Sequence, residues 1–224
     1  MKKKFLLIFF IFLIAFSPFL MHKASRKIEK IRQHLCVDRH GFWRDKHAKH
    51  FFDNKLADAI LEFLKEEKAQ TLVDFGCGAQ GHYVKFFLDH NIMCEGFDGN
   101  PYSPKISKGL VKVVDLSQPF DLGKKYDWVM SVEVAEHIPK EFERTLLENL
   151  DRHNVNGVIL SWAIEGQKGI GHFNCRNNDY VKKVFLKMGY VNDLEAEEKI
   201  RKKAHYGWFK NSFMVFRKKE KSFL

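Results

Sequence analysis

Strands alternating with helices through most of a 224-residue chain predict an α/β domain. Its core is a doubly wound, mostly parallel sheet with a late antiparallel strand, preceded by an N-terminal hydrophobic helix. Three observations carry this expectation. Short apolar runs bounded by turn residues recur at Thr71–Phe75, Met93–Phe97, Val111–Val114, Trp128–Val132 and Val158–Trp162. The first of them runs directly into Gly76-x-Gly78-x-x-Gly81, a strand-to-helix glycine turn. Apolar residues at 45% and charged residues at 29% suit one good-sized folded domain and exclude a disordered chain.

The elements follow in order. Lys2, Lys3 and Lys4 precede twelve consecutive apolar residues, Phe5 to Phe16. A helix over residues 5–21 would extend about 26 Å, just short of a hydrocarbon core of about 30 Å. We read residues 1–22 as a single-pass signal-anchor; the rival is a cleaved signal peptide, whose Ala15-x-Ser17 site would leave Pro18 first. The positive-inside bias favours a cytoplasmic domain by a narrow margin, because Lys23, Arg26, Lys27, Lys30 and Arg32 follow the segment. Residues 23–46 form a basic linker, with Lys23 to Leu35 either lying on an anionic membrane surface or simply solvated.

The domain proper is expected over residues 47–220. Phe51, Phe52, Leu56, Ala59, Ile60, Phe63 and Leu64 predict a helix over 47–67. Further helices are expected at Tyr83–Leu88, at 139–152 with Pro139 in the first turn, and at Asn178–Met188, closed by Gly189. Asn156-Gly157 reads as a turn before the fifth strand. Tyr190–Leu194 and Ser212–Arg217 supply the last strands.

Charge is distributed by position. The net +10 resolves into +3 over residues 1–21, +6 over 22–55, −7 over 56–198 and +8 over 199–224. An acidic body between basic ends weakens the nucleic-acid reading that a basic chain invites. The cysteines Cys36, Cys77, Cys94 and Cys175 form no CxxC pair, which excludes a disulfide framework and disfavours structural zinc.

The glycine turn carries the cofactor chemistry. Glycines admit a ligand to the backbone, and a helix amino end offers free N–H groups. Asp74, two residues before Gly76, would repel a pyrophosphate and suits a cationic or amino-bearing ligand. Asp98 ends the next strand, where a carboxylate can accept both hydroxyls of a ribose. Either Asp98 or Asp115 could instead serve only its own turn.

These residues resemble the class I S-adenosylmethionine-dependent methyltransferases, of the small-molecule type near the ubiquinone-biosynthesis O-methyltransferases. Val73-Asp-Phe-Gly-Cys-Gly78 is similar to the family's first motif and Gly96-Phe-Asp98 to its second. Tyr126 to Pro139, containing Glu133-Val-Ala-Glu136-His137, resembles its fourth-strand motif, and Asn156 to Ser161 its fifth strand. Gln80 lengthens the glycine loop by one residue relative to many members. The resemblance implies a Rossmann-like seven-stranded sheet and S-adenosylmethionine as cofactor. It implies cofactor contacts from Asp74, Phe75, Gly76, Cys77, Gly78, Asp98 and Ser131, with Asp115 and Leu116 at the adenine. Cys77 itself reads as a packing residue rather than a nucleophile.

For catalysis the candidates are Glu133, Glu136 and His137, just after the fourth strand. Three roles stay open: His137 as base, a divalent metal held by Glu133, Glu136 and His137, or passive lining. The polar loop Gly169 to Asn178 offers His172, Asn174 and Arg176 as substrate contacts, with Trp162 as pocket wall or core. The expected function is a membrane-anchored methyltransferase for a small-molecule or lipid acceptor, by O-methylation. The alternatives are a protein or RNA methyltransferase using Arg201-Lys-Lys203 and Arg217-Lys-Lys219, and an inactive binding protein that keeps the fold.

Overall fold

The computed structural model describes residues 22–23, 31, 36–47 and 50–219. The chain divides into two units, Met1–Cys36 and Val37–Leu224. In the first, His22, Lys23 and Ile31 are helical and exposed. The hydrophobic helix expected over 5–21 lies outside the described residues, and among the described residues no helix is long and apolar enough to cross a membrane.

The second unit is a seven-stranded sheet in the order β3-β2-β1-β4-β5-β7-β6. Its strands are β1 (Thr71–Phe75), β2 (Met93–Asp98), β3 (Val111–Val113), β4 (Tyr126–Val132), β5 (Asn154–Ser161), β6 (Tyr190–Asn192) and β7 (Phe213–Lys218). The first five pair in parallel, and β7 runs antiparallel to both β5 and β6. Alternation assigns the two faces: Leu72, Trp128 and Met130 enter one core, Val73, Phe75 and Val129 the other. The first core is covered by α1 (Asn54–Glu66), α2 (His82–Asp89) and α6 (Leu194–Lys203), the second by α4 (Glu143–Arg152) and α5 (Asn178–Lys187). The second unit also carries the short helices α3 (Ser103–Ile106) and α7 (Gly207–Ser212). Asp127 fixes the register of β1 beside β4, accepting from Gln70 N at 2.7 Å and Thr71 N at 2.9 Å.

Several boundaries differ from expectation for local reasons. The first helix begins at Asn54 rather than 47, because buried Asp53 accepts from Leu56 N at 3.0 Å and caps it there. Its second oxygen accepts from His205 N and Tyr206 N at 2.8 and 2.9 Å, anchoring the distant turn before α7. Pro139 precedes a 3-10 turn, Lys140–Phe142, and α4 starts only at Glu143. The Asn156-Gly157 turn is corrected: both residues lie inside β5. A Cβ on Gly157 would stand 2.1 Å from the Phe216 carbonyl and 2.6 Å from the Trp128 ring, so close packing, not a turn, requires the glycine.

Much of the described basic tail is paired within the fold. Arg217 donates to both oxygens of Glu67 at 2.5 and 2.9 Å and to Asp193 at 2.6 Å. Arg201 pairs with Glu197 at 3.1 Å and donates to the Phe213 carbonyl at 2.7 Å. Lys203 reaches Glu62, and Lys218 reaches Asp151 at 2.8 Å.

Candidate cofactor and active site

In this strand order β1 and β4 are neighbours whose connections leave in opposite directions, so a crevice opens at their carboxyl ends. There the chain after β1 bends over β2. Gly76 N and Cys77 N both donate to the Phe97 carbonyl, at 2.7 and 3.2 Å. Gly76 has φ +82, and a Cβ there would meet Val134 at 2.3 Å. Asp98, 9% exposed, accepts from Gly78 N at 2.9 Å and Asn100 N at 2.8 Å, one bond per carboxylate oxygen. Each oxygen keeps lone pairs for a further donor.

Asp74 is 2% exposed and its Oδ2 has no hydrogen-bond partner. Burial, then the charge of Asp98, pushes its carboxyl well above the usual range. A carboxyl oxygen without a partner at this depth is a ready acceptor for a cationic or ammonium group. Asp74→Asn is expected to weaken binding of such a ligand about 10-fold through loss of one charge-assisted contact, measured by calorimetry. Because its folded-state pKa is raised, Asp74 costs stability progressively as pH rises above the ordinary aspartate range. The wild-type minus Asp74→Asn stability difference should therefore decline from acid to neutral pH in chemical denaturation.

A cleft of about 70 Å³, partly open to solvent, is lined by Gly76, Asp98, Gly99, Asp115, Leu116, Glu133, Val134, His137 and Ile138. Gly41, Phe42, Trp43 and His50 complete it. Residues 37–46, placed in the linker from sequence, thus belong to the compact unit and cover the cleft. Val37 bridges Trp43, and His40 Nδ1 lies 2.6 Å from Asp115 Oδ2. Asp115 Oδ1 also accepts from Ser117 N and Oγ at 2.9 and 2.7 Å. The local signal that marks this segment is Gly41-Phe-Trp43, an aromatic pair in a charged stretch. His50 is held below the usual imidazole range, chiefly by burial, and its Nε2 has no partner.

Other expected cofactor residues sit deeper. Phe75 is fully buried against Phe97, Phe120 and His153. Ser131 Oγ donates to the Phe75 carbonyl at 3.0 Å, tying β4 to β1 from within. Burial pushes the Cys77 thiol well above its ordinary value, which keeps it protonated and un-nucleophilic. Leu116 is buried at the cleft wall.

The three catalytic candidates follow at the end of β4. Glu133 adopts φ +55, a strained conformation for this residue type, and its carboxylate is held by Ser161 Oγ at 2.8 Å and Gln167 Nε2 at 3.1 Å. Burial raises its pKa. Glu136 is fully buried and neither carboxylate oxygen has a hydrogen-bond partner. Burial and the adjacent Glu133 hold it well above the ordinary glutamate range. His137 is lowered to about 4, chiefly by burial, and so is neutral at physiological pH.

The loop after β5 divides in two. His172 joins the cluster, its ring centroid 5.0 Å from that of His137. A carboxylate oxygen of Glu136 and one ring nitrogen from each of His137 and His172 lie within 4.8 Å of one another, so the convergent set contains His172 in place of Glu133. Asn174 and Arg176 turn the other way, to Glu143. Asn174 Nδ2 donates to Glu143 Oε2 at 2.9 Å, as do Arg176 Nε and Nη2 at 3.1 and 2.9 Å. Tyr180 donates to the other oxygen at 2.5 Å. These two residues are committed to holding the loop on α4 instead of facing the cleft. Trp162, 1% exposed, donates to the Asn174 carbonyl at 2.6 Å and is core.

Residues 47–191 match the family model described as a methyltransferase domain. Among curated proteins none matches the chain. Similar solved structures include the magnesium protoporphyrin IX methyltransferase of Synechocystis PCC 6803 with bound S-adenosylhomocysteine. It is 14% identical, with 87% of this chain and 95% of that one covered and a TM-score of 0.56. The S-adenosylmethionine-bound amino pentose methyltransferase CalS10 of Micromonospora echinaspora is 13% identical, covering 77% and 100%, at a TM-score of 0.57. The methyltransferase domain of bacterial CtHen1 is 16% identical, covering 75% and 99%, at 0.54. With its crevice, glycine turn and paired acids in place, the chain belongs to the methyltransferase-domain family and is an S-adenosylmethionine-dependent methyltransferase of class I fold.

Proposed function

We propose that the enzyme transfers the methyl group to a hydroxyl of a small-molecule or lipid acceptor. Asp74 and the Gly76–Gly78 backbone hold the methionine moiety, Asp98 the ribose, and Asp115 with Leu116 the adenine. The carrying observation is that Glu133 and His137 line the same cleft as Asp98 and Asp115, so proton-accepting groups stand beside the cofactor's reactive end. In the transfer, the acceptor oxygen attacks the methyl carbon in line. The C–O bond forms, the C–S bond breaks with its electron pair on sulfur, and the hydroxyl proton passes to the Glu133 carboxylate. Burial makes that carboxylate a stronger base than an exposed glutamate.

A small acceptor is supported by the amino pentose methyltransferase among the neighbours and by the aromatic cover over part of the cleft. An RNA acceptor, suggested by a small-RNA methyltransferase among the neighbours, finds less support. Arg201 and Arg217, the arginines a phosphate backbone would recruit from the tail, are already paired within the fold.

The test is transfer of tritiated methyl groups from the cofactor by the purified full chain, offered lipid, quinone, phenolic, protein and RNA fractions. Label is expected in an organic extract, with the methyl placed on oxygen by NMR of the product. Label confined to protein or RNA overturns this reading. The apolar run at Phe5–Phe16 supports a membrane anchor, and the narrow lysine and arginine bias after it favours a domain facing the cytoplasm. The full chain should then stay in the membrane pellet after alkaline carbonate, and its release into the supernatant would count against an anchor.

A further inference from the structure

We propose that Glu136, His137 and His172 bind one divalent transition-metal cation beside the cleft, with an open position for the acceptor oxygen. The inference rests on the methyltransferase reading above and names what the same site uses to activate its acceptor.

The first ground is convergence. One carboxylate oxygen and two imidazole nitrogens lie within 4.8 Å of one another, a spacing that a single ion can bridge. The second ground is Glu136 itself. Its side chain is fully buried, and both oxygens lack a hydrogen-bond partner. Leaving such a group unsatisfied costs free energy that a protein recovers only with a partner, and a cation at the convergence point is one.

The third ground is the tautomer of each ring. His137 Nδ1 lies 3.1 Å from the Gly171 carbonyl, and His172 Nδ1 lies 3.1 Å from the Gln167 carbonyl. A carbonyl only accepts, so both Nδ1 atoms carry the proton and both Nε2 atoms keep the lone pair. Metal-binding histidines are oriented in this way, by donation of the other ring N–H to the backbone.

Two imidazoles and one carboxylate form the donor set of open manganese, iron, cobalt and zinc sites, rather than the all-oxygen cages of magnesium and calcium. Three protein ligands leave coordination positions free. A hydroxyl bound there becomes more acidic, so its proton leaves for Glu133 while the oxygen attacks the methyl carbon. Glu133 fits the base role because Ser161 and Gln167 already hold its carboxylate in place.

The test titrates Mn²⁺ into the full chain stripped with a chelator, following the electron paramagnetic resonance signal of free Mn²⁺. One ion per chain is expected. His172→Ala and the isosteric Glu136→Gln should each weaken binding by about 10-fold or more. Gly169→Ala keeps every ligand, but its Cβ would sit 1.9 Å from His172 Nε2 and displace the ring, so it should weaken Mn²⁺ as well. Calorimetry with S-adenosylmethionine on the same proteins should show affinity within about 3-fold of wild type, which certifies the fold. Chelation should abolish methyl transfer, and added Mn²⁺ should restore it. No Mn²⁺ bound by the wild type at millimolar concentration, or equal binding by the variants, overturns the cation site while leaving cofactor binding intact. Loss of cofactor binding in the wild type overturns the methyltransferase reading, whatever Mn²⁺ does.

Discussion

Asp98→Ala is expected to lower affinity for S-adenosylmethionine about 100-fold, the largest functional effect of any single change at the cleft. Asp98 is the one buried acid there whose two oxygens are each already aimed by a backbone N–H, from Gly78 and Asn100. A ribose diol donating to both oxygens would add two charge-assisted bonds, each worth about 1.5–3 kcal/mol. Alanine removes both, and about 3 kcal/mol is two powers of ten in affinity. The same change frees the Gly78 amide, so the glycine turn loses its tether to β2. Asp98→Asn keeps one acceptor oxygen and should fall between, at about 10-fold. Calorimetric titration of the cofactor into the purified chain decides it. Affinity unchanged in Asp98→Ala would mean that the ribose is held elsewhere and that Asp98 only closes its own turn.

Glu143→Ala carries the largest expected loss of stability. This carboxylate is 8% exposed and gathers Asn174, Arg176 and Tyr180, which fix the loop after β5 onto α4. Truncating it strands the Arg176 guanidinium, whose side chain is 18% exposed, without its counter-charge. Breaking a largely buried pair from one side costs about 3 kcal/mol, discounted here for partial solvent access. For a domain of this size that lowers Tm by about 6–12 °C in calorimetry. The pH dependence follows from the same contacts. Burial alone would raise the Glu143 pKa, but the donors Tyr180, Asn174 and Arg176 outweigh it and hold it below the ordinary value. A depressed acid contributes stability above its unfolded pKa and loses it as pH falls through the folded one. The gap between wild type and Glu143→Ala should therefore be full at neutral pH and shrink below about pH 4.5. A gap that stays constant into acid would show that the ionised carboxylate contributes nothing to the loop.

Much of the domain was legible because its signals are local. Parallel strands buried on both faces read as continuous apolar runs, so β1 through β5 fall within a few residues of expectation. The glycine turn, Asp74 and Asp98 were legible for the same reason, since a strand end followed by glycines prescribes a crevice with acids at its rim. The helices α6 and α7 were not seen. Arg201-Lys-Lys203 reads as a basic tail because Glu62 and the Phe213 carbonyl reach it only in the folded domain, while Glu197 stands one turn away on the same helix. Arg201, Lys203, Arg217 and Lys218 therefore act as internal tethers. The cover over the cleft was equally hidden, because nothing near His40 in sequence announces Asp115, and the two meet at 2.6 Å.

The sequence by itself determined the fold class, the family and the acids at the crevice rim. Each depends on hydrophobic period, glycine placement or residues adjacent along one strand. Tertiary structure alone decided how the polar loop is shared out. His172, Asn174 and Arg176 lie within a few residues of one another, yet the first turns to Glu136 and His137 while the others turn to Glu143. Buried carboxylates recruit whatever donors or ligands chain packing brings within about 3 Å, and that proximity is set by the sheet's crossovers, not by spacing along the chain.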